Sequence, residues 1–383
     1  MTPLDHDVLI IGAGPAGLAL GAELRRLGVD ASIVDRRPDG APGSRAIGVH
    51  PPTLAALEPS GVTDHILARA ARITRGVARA DGRILGAVRF DRRGARFPFV
   101  AAVPQAVTEA ALRHAAPAPE RRTEARAVIS RSDHAIASLV TPAGERDVHA
   151  RVIVIASGAG GESLGVPIRS VWHRYPDGYL MTDLAAGGDE PADMAIVDLG
   201  ARGVLESFPL PEGARRLVAW DPGTRGAEAT AQRATRLRAA VAARDPELAE
   251  RIETATAFGI RRSLVSRMRA GRLLLIGDAA HEVSPIGGQG MNLGILDAVT
   301  LASPLAAWLA NPEHFQALDR WEKRRLASAR AAARLASVNT ALGRGRGART
   351  HGLVVAGIRT AMRSPLARAA GHAYAMGFDQ DAA

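Results

Sequence analysis

The chain has 383 residues, 47% of them hydrophobic, which suits one large domain or two closely associated ones with a buried core. It has no cysteine and its 11 histidines lack metal-ligand spacing, so disulfides, thiolate catalysis and a cysteine-ligated metal are excluded and no metal site is expected. The net charge of +10 is almost all arginine spread along a chain with 4% aromatic residues, a pattern that argues against nucleic-acid binding and favours attraction of anionic cofactors or substrates.

The start of the chain is not basic and runs directly into a strand pattern, so it does not resemble a signal peptide. No uninterrupted run of about 18 apolar residues occurs, which predicts no transmembrane helix. We therefore expect a cytoplasmic protein without strong membrane affinity. The sequence leaves its oligomeric state open.

Residues 7–11 form a buried-strand pattern, an amphipathic helix pattern follows the next turn, and residues 31–34 form a second strand that ends on Asp35. The turn between the first strand and the helix reads Gly12-Ala-Gly14-Pro-Ala16-Gly17. Strand, G-x-G-x-x-G, helix, strand and acid together predict an adenine dinucleotide site, with the glycines near the pyrophosphate and the acid on a ribose hydroxyl. Arg36 follows the acid and is expected to stack on, or border, the adenine.

The next segment adds a loop arginine, Arg45, which is expected to reach the cofactor, and His50, which we interpret as a loop-packing residue. A hairpin is predicted around Asp81-Gly82, and its antiparallel strands indicate a second, substrate-facing sheet. A helix is predicted for residues 106–115, after Pro104-Gln105. Residues 125–156 are strand-like, with a turn at 142–144 and a buried-strand pattern at 151–156. Residues 171–260 are again rich in strand patterns and end with a helix at about 227–243.

The densest motif lies near residue 280. Four apolar residues, 273–276, form a buried-strand pattern that delivers Asp278 to the end of a strand, where open α/β sheets bind their ligands. A glycine-rich turn and a helix at 291–309 follow, and the free N–H groups of the first helical turn favour negative charge. Alanine- and arginine-rich helices are predicted for 315–342, with a covering helical tail after them.

With these pieces in place, the sequence resembles the FAD-dependent aromatic hydroxylases, the para-hydroxybenzoate hydroxylase-like flavoprotein monooxygenases, over roughly residues 1–320. The two glycine-rich motifs match the first and second FAD motifs of that family, although Glu is commoner there than Asp at position 35. The resemblance implies an α/β fold: a Rossmann-like FAD-binding domain interleaved with a mostly antiparallel β-sheet substrate domain, plus C-terminal helices. It assigns 1–71, 101–165 and 265–340 to FAD, 72–100 and 166–264 to substrate, and 341–383 to the tail.

The resemblance also predicts the cofactor site. Asp278 is expected to hold the ribityl chain, and Pro285 with the following turn is expected to border the flavin ring. The predicted FAD-binding residues are Gly12, Gly14, Ala16, Gly17, Asp35, Arg36, Arg45, Gln105, Asp278, Pro285, Gly288, Gly290, Met291 and Asn292.

By this resemblance the chain is an FAD-dependent monooxygenase reduced by NADPH or NADH. With O2 it forms a flavin hydroperoxide that hydroxylates or epoxidises an aromatic or polyketide-like substrate. The catalytic base is not identified, and His50, His173, Tyr179 and His281 are the candidates, with His281 more typical of a packing residue.

One departure keeps alternatives open. The family's middle motif reads Ala-Asp-Gly, whereas this chain has Ala156-Ser157-Gly158. Because that region is linked to both FAD and NAD(P)H, an FAD-linked reductase, oxidase or cyclase without direct NADPH use is the second hypothesis. A non-catalytic flavin-binding protein is the third.

Overall fold

The computed structural model describes residues 4–38, 46–90, 95–185, 190–223, 230–363, 371–377 and 379. The helices are α1 Pro15–Arg26, α2 Pro51–Leu57, α3 Val62–Leu67, α4 Gln105–Ala115, α5 Thr230–Ala242, α6 Pro246–Glu250, α7 Gly290–Ala310, α8 Phe315–Gly343 and α9 Ala348–Met362. The strands are β1 His6–Ile11, β2 Ala31–Asp35, β3 Gly48–Val49, β4 Ala71–Ile73, β5 Arg75–Ala80, β6 Arg83–Arg89, β7 Val100–Ala102, β8 Glu120–Arg121, β9 Glu124–Ser130, β10 Ala135–Thr141, β11 Gly144–Ile155, β12 Ser170–Leu184, β13 Met194–Gly200, β14 Gly203–Pro209, β15 Arg215–Asp221, β16 Thr256–Val265, β17 Arg269–Ala270, β18 Leu273–Leu275 and β19 His281–Glu282.

The first sheet is mainly parallel and has the order β17-β18-β11-β1-β2-β8, with the β9–β10 hairpin extending it from β11. Its central strands β18, β11 and β1 end in uninterrupted apolar runs that are buried, as parallel strands covered on both faces require. The chain leaves β1 towards β2 on one side and later returns through β11 and β18 on the other. This reversal of direction at β1 leaves a crevice at the carboxyl ends of the strands.

The second sheet is almost entirely antiparallel and has the order β19-β16-β12-β15-β14-β13-β5-β6. Only the β13–β5 pairing is parallel among the described strands. The hairpin predicted around Asp81-Gly82 is its β5–β6 edge, with both turn residues at positive φ. The predicted α/β fold class, with an interleaved antiparallel sheet and C-terminal helices, is confirmed.

A third, small sheet joins the two large ones. It has the order β3-β7-β4, so residues 71–73 and 100–102 pair with each other and not with the substrate-facing sheet. Conversely, β19 belongs to a segment that was predicted to bind FAD, but it hydrogen-bonds to β16 of the second sheet. The observed sheets therefore interlock more closely at these two junctions than the predicted segment boundaries describe.

The helix α7 is the one whose length and mean hydropathy of 1.6 suit a membrane span, within the ranges described above. However, 61% of its most apolar window is buried inside the protein, where it packs on α1 and α8. It also carries the fully buried polar residues Asn292 and Asp297. These features are typical of the core helix of a globular fold.

The helix α9 covers the far end of the second sheet. It packs on β6, where the Met362 side chain occupies the space above Gly86 so closely that a Cβ on this glycine would lie 2.4 Å from the methionine Cβ. Three residues of α9, Ile358, Ala361 and Met362, line the cavity that is described below.

Candidate FAD and substrate site

Three strand ends meet at the carboxyl edge of the parallel sheet. Gly12 follows β1, Ser157 follows β11, and Gly277-Asp278 follows β18. Gly12 has a φ of +113°, and a Cβ there would lie 2.4 Å from the Ala156 carbonyl oxygen. This position therefore requires glycine because neighbouring strand ends approach so closely.

The remaining glycines of the first turn have different roles. A Cβ on Gly17 would lie 1.9 Å from the Gly12 carbonyl oxygen, so Gly17 permits α1 to pack against the turn. A Cβ on Gly14 would meet no protein atom within 4 Å, because this residue faces the cavity. No side chain caps the N-terminus of α1, whose first N–H groups are directed at the same space. The turn thus offers a backbone cradle that suits a pyrophosphate.

Asp35 closes the opposite side of this cradle. Its Oδ2 accepts a hydrogen bond from the Ala13 N–H at 2.7 Å, and Arg37 donates to both carboxylate oxygens at 3.1 and 3.0 Å. Burial opposes ionisation, but the hydrogen bonds from Arg37 and Ala13 hold the pKa of Asp35 below its usual value. Arg36, the residue predicted to contact adenine, is exposed at the cavity rim, and the half-buried Arg37 is the one paired with the acid.

The second glycine-rich turn is held by Asn292. Its Oδ1 accepts the His50 N–H at 2.9 Å, while its Nδ2 donates to the carbonyls of Gly48 and Gly288 at 2.8 and 3.1 Å. Asn292 is fully buried and thus joins the start of α7 to the β3–α2 connection from behind the cavity wall. No side chain caps α7 either, so the N–H groups at Gly290 and Met291 face the cavity.

A buried charge network supports the Gly277-Asp278 strand end. Asp297 accepts hydrogen bonds from the Gly277 N–H at 3.0 Å, from His281 at 2.5 Å and from Arg325 at 2.7 Å. Arg325 also donates to Asp379 at 2.6 Å. Burial disfavours the imidazolium, but the Asp297 charge outweighs it and raises the pKa of His281. His281 is therefore part of a buried charge network behind the cavity wall.

One cavity of about 860 Å³ runs from the first glycine turn to the face of the second sheet. This is near the upper end of the size range of ligand pockets. Its parallel-sheet end is lined by glycines and charged groups, and its other end by Met181, Val197, Val218 and Phe258 of the antiparallel sheet, with Met362 of α9. The cavity is thus polar where a dinucleotide fits and apolar where an aromatic molecule fits.

The structure places most of the predicted cofactor residues on this cavity. The lining includes Gly12, Gly14, Ala16, Asp35, Arg36, Gln105, Asp278, Pro285, Gly288, Gly290 and Met291. Gly17 and Asn292 do not line it. Gly17 packs inside the first turn, and Asn292 ties the second turn to the β3–α2 connection. Arg45 lies outside the described residues.

The candidate bases are separated by the structure. His50 lines the cavity, but burial lowers its pKa to about 4, so its ring is neutral near pH 7. His173 is exposed, packs edge-on against Tyr175 and does not line the cavity. Tyr179 is buried against Phe258 with a raised pKa. Among the lining groups that the sequence did not single out are Glu206, Asn339 and Tyr374. The orientation of Glu206 could not be read from sequence, because alternation in a strand does not say which face meets a ligand.

A glycine cradle at a parallel sheet, opening through one cavity onto an antiparallel sheet, defines a two-sheet dinucleotide-binding protein. The family profile described as "FAD binding domain" matches residues 5–336. The chain therefore belongs to this FAD-binding family, the para-hydroxybenzoate hydroxylase-like flavoproteins that its motifs predicted, and FAD is its cofactor.

Individual relatives agree with this membership. The chain is 31% identical to 6-methylpretetramide 4-monooxygenase from Streptomyces rimosus over 84% of its own length and 59% of that protein. It resembles the crystal structure of aklavinone-11 hydroxylase with FAD and aklavinone at 27% identity and a TM-score of 0.75, covering 90% of this chain and 70% of the other. The fold also matches p-nitrophenol 4-monooxygenase from Pseudomonas putida at a TM-score of 0.84 and 19% identity, covering 97% of both chains. The chain spans less than two thirds of the length of the first curated relative.

Proposed function

We propose that this protein is an FAD-dependent monooxygenase that hydroxylates or epoxidises an aromatic or polyketide-like molecule, with NADPH or NADH as the reductant and O2 as the oxygen donor. The observation that best supports this proposal is the continuous cavity that joins the glycine cradle to an apolar sheet face. Relatives named as monooxygenases of polyketide and nitrophenol compounds support this choice. We also infer a cytoplasmic location, where NAD(P)H is supplied.

The cofactor residues are assigned as follows. We infer that Gly12, Gly14 and the start of α1 hold the pyrophosphate, and that Asp35 holds the adenosine ribose. Ala16 and Gly17 shape that turn, and Arg36 borders the adenine. Residues Asp278, Pro285, Gly288, Gly290 and Met291 border the ribityl chain and the ring, Asn292 fixes their turn, and Gln105 and Arg45 approach from the facing loops.

When bound, FAD supplies the redox chemistry that activates O2 for transfer of one oxygen atom to the substrate. The chain's own contribution is orientation and electrostatics. The uncapped N–H groups at the start of α7 favour negative charge next to Gly290. The apolar side chains of the second sheet and α9 exclude water from the substrate end of the cavity.

The test is anaerobic stopped-flow absorbance of the purified FAD protein mixed with NADPH and then with NADH. Rapid loss of the visible flavin band, followed in air by incorporation of labelled oxygen into an added aromatic substrate, is the expected result. Absence of labelled oxygen in every product, despite flavin reduction and reoxidation, would refute a monooxygenase.

Ser157 favours one alternative, an FAD-linked reductase, oxidase or cyclase without direct NADPH use. Its Oγ is buried on the cavity wall and has no hydrogen-bond partner within the described part of the chain, where the family has a carboxylate. A protein that dithionite reduces but neither nicotinamide reduces, with or without aromatic ligand, would support this alternative. If the protein binds FAD, but its reduced FAD is reoxidised no faster than free reduced FAD in solution, the protein is non-catalytic.

A further inference from the structure

On the cavity face of the second sheet, the Glu206 carboxyl lies among apolar neighbours. On β14, alternate residues Val204, Glu206 and Phe208 point into the cavity, as the twofold repeat of a strand requires. The positions paired with Glu206 on the two adjoining strands are Val197 of β13 and Val218 of β15. Both line the same cavity, so Glu206 lies between two apolar side chains.

Glu206 is buried without compensation from the protein. It is 7% exposed, and its carboxyl has no hydrogen-bond or ion-pair partner within the described ranges. Burial alone raises its pKa from 4.5 to about 7. An unpaired buried carboxyl is unfavourable unless a ligand supplies the missing hydrogen bond. The cavity gives a ligand access to it.

Hydroxyl and amide groups line the same cavity as this carboxyl. Tyr374 donates a hydrogen bond to Asn339 Oδ1 at 2.6 Å, and both residues line the cavity. Burial and the Glu206 charge raise the pKa of Tyr374 to about 12, and the same two causes raise that of Tyr179. Both tyrosines are therefore neutral near pH 7.

The charged groups on the adjoining strands are already paired. Arg216 of β15 forms a fork with Asp183 of β12, and Arg261 of β16 pairs with Glu282. The residues of α9 on this cavity, Ile358, Ala361 and Met362, carry no charge, and His50 titrates at about 4. On this wall, burial raises the pKa of Glu206 to about 7, so its charge changes near neutral pH.

We propose that Glu206 is a specificity-determining residue, which accepts a hydrogen bond from a hydroxyl group on an apolar, multi-ring aromatic substrate and disfavours substrates that carry a carboxylate. This inference rests on the proposed function, because it assumes that the apolar end of the cavity holds the substrate. It narrows the substrate class to phenols and excludes aryl carboxylates.

The charge of Glu206 makes the two classes respond oppositely to pH. A phenolic hydroxyl binds more strongly to the carboxylate than to the neutral acid, because a charge-assisted hydrogen bond is stronger. Phenol affinity therefore rises as pH increases through about 7. An aryl carboxylate prefers the neutral acid, since two carboxylates in one apolar site repel each other, and its affinity falls over the same range.

The experiment is calorimetric titration of the FAD-loaded protein with 1-naphthol and, separately, 1-naphthoate from about pH 5.5 to about pH 8.5. The variant is Glu206→Gln, and the matched control is Glu212→Gln, which removes a carboxyl from the exposed turn that follows β14. In the wild type and the control, we expect the affinity for 1-naphthol to rise with pH and the affinity for 1-naphthoate to fall. In Glu206→Gln, both slopes vanish, 1-naphthol binds about tenfold more weakly at high pH and 1-naphthoate about tenfold more tightly.

Parallel slopes for the two probes, slopes that survive in Glu206→Gln, or a wild type that binds no 1-naphthol would each overturn the proposal. If Glu206→Gln fails to fold with FAD, the wild-type slopes alone decide. Binding requires no turnover, so the two proposals fail separately. If the two affinities change oppositely with pH but no oxygen is transferred, only the monooxygenase proposal is refuted. If oxygen is transferred but 1-naphthol binding does not depend on pH, only the proposed role of Glu206 is refuted.

Discussion

The two ends of the cavity hold buried charge in opposite ways. Behind the FAD end, Asp297 is fully buried but is surrounded by His281, Arg325 and the Gly277 N–H, which keep its pKa low against burial. At the other end, Glu206 is also buried, at 7% exposure, but it has apolar neighbours, and burial raises its pKa to about 7. The first arrangement fixes a shape, because every charge has a partner. The second leaves a group whose charge depends on pH and on a bound ligand.

Removing the centre of the compensated network gives the largest expected effect. Asp297→Ala leaves Arg325 and His281 buried without their shared partner, which costs about 3–5 kcal/mol of unfolding free energy. It also releases the Gly277 N–H, so FAD affinity falls as well. Urea unfolding and FAD titration measure the two losses.

The control is Asp319→Ala, which removes a partly exposed partner of Arg269 on α8. A pair of this kind contributes about 0–1 kcal/mol. Equal destabilisation by both substitutions would show that the Asp297 network has no special role.

The unpaired state of the Glu206 carboxyl is tested by the pH dependence of the unfolding free energy. The folded state keeps the Glu206 proton up to about pH 7, whereas the unfolded chain releases it near the ordinary pKa of 4.5. This group's contribution to stability is therefore complete below about pH 4.5 and lost by about pH 7, on the order of 3 kcal/mol in total. Glu206→Gln should be more stable than the wild type at pH 8 by a comparable amount, and should lack this loss. Parallel pH profiles of unfolding in the two proteins would contradict the buried, unpaired state of Glu206.

The FAD end is tested without disturbing the fold by Gly14→Ala. The added Cβ meets no protein atom within 4 Å and projects into the cavity, so the apoprotein should unfold normally. FAD affinity should fall at least about tenfold, or about 1.4 kcal/mol, as followed by flavin fluorescence. Gly357→Ala on the exposed face of α9 also meets no atom and serves as the control, with unchanged FAD affinity and about 0.5–1 kcal/mol of added stability. Unchanged FAD affinity in Gly14→Ala would refute the cradle.

The smallest effect is expected where α9 covers the substrate end. Met362→Ala opens the wall above Gly86, so 1-naphthol should bind a few-fold more weakly, about 1 kcal/mol, while FAD affinity stays unchanged. Leu353 lies on the same helix and is 75% exposed, so Leu353→Ala should change neither the 1-naphthol affinity nor the FAD affinity. A loss of FAD in Met362→Ala would show that the two ends of the cavity are not independent.

The first FAD motif was readable from sequence because its physics is local. A tight turn, a helix start and an acid at a strand end are encoded within thirty or so consecutive residues, and the structure brings Gly12, Gly14 and Asp35 onto one cavity. The choice between Arg36 and Arg37 was not readable. Adjacent residues leave a strand end in different directions, and only the fold shows that Arg37 reaches Asp35.

By itself, the sequence determined the position of the two glycine-rich turns, because glycine clusters directly after unbroken apolar strands leave few alternatives. The fold class and the family followed from the resemblance of these motifs to a known flavoprotein family. Only the tertiary structure decided that Asn292 ties the second glycine-rich turn to the β3–α2 connection, that Asp297 binds the Gly277 N–H twenty residues earlier in the chain, and that Glu206 faces the cavity without a partner within the described residues. These properties depend on which distant segments pack against each residue. Burial and pairing, which set the charge of a carboxyl, are created only when the two sheets come together.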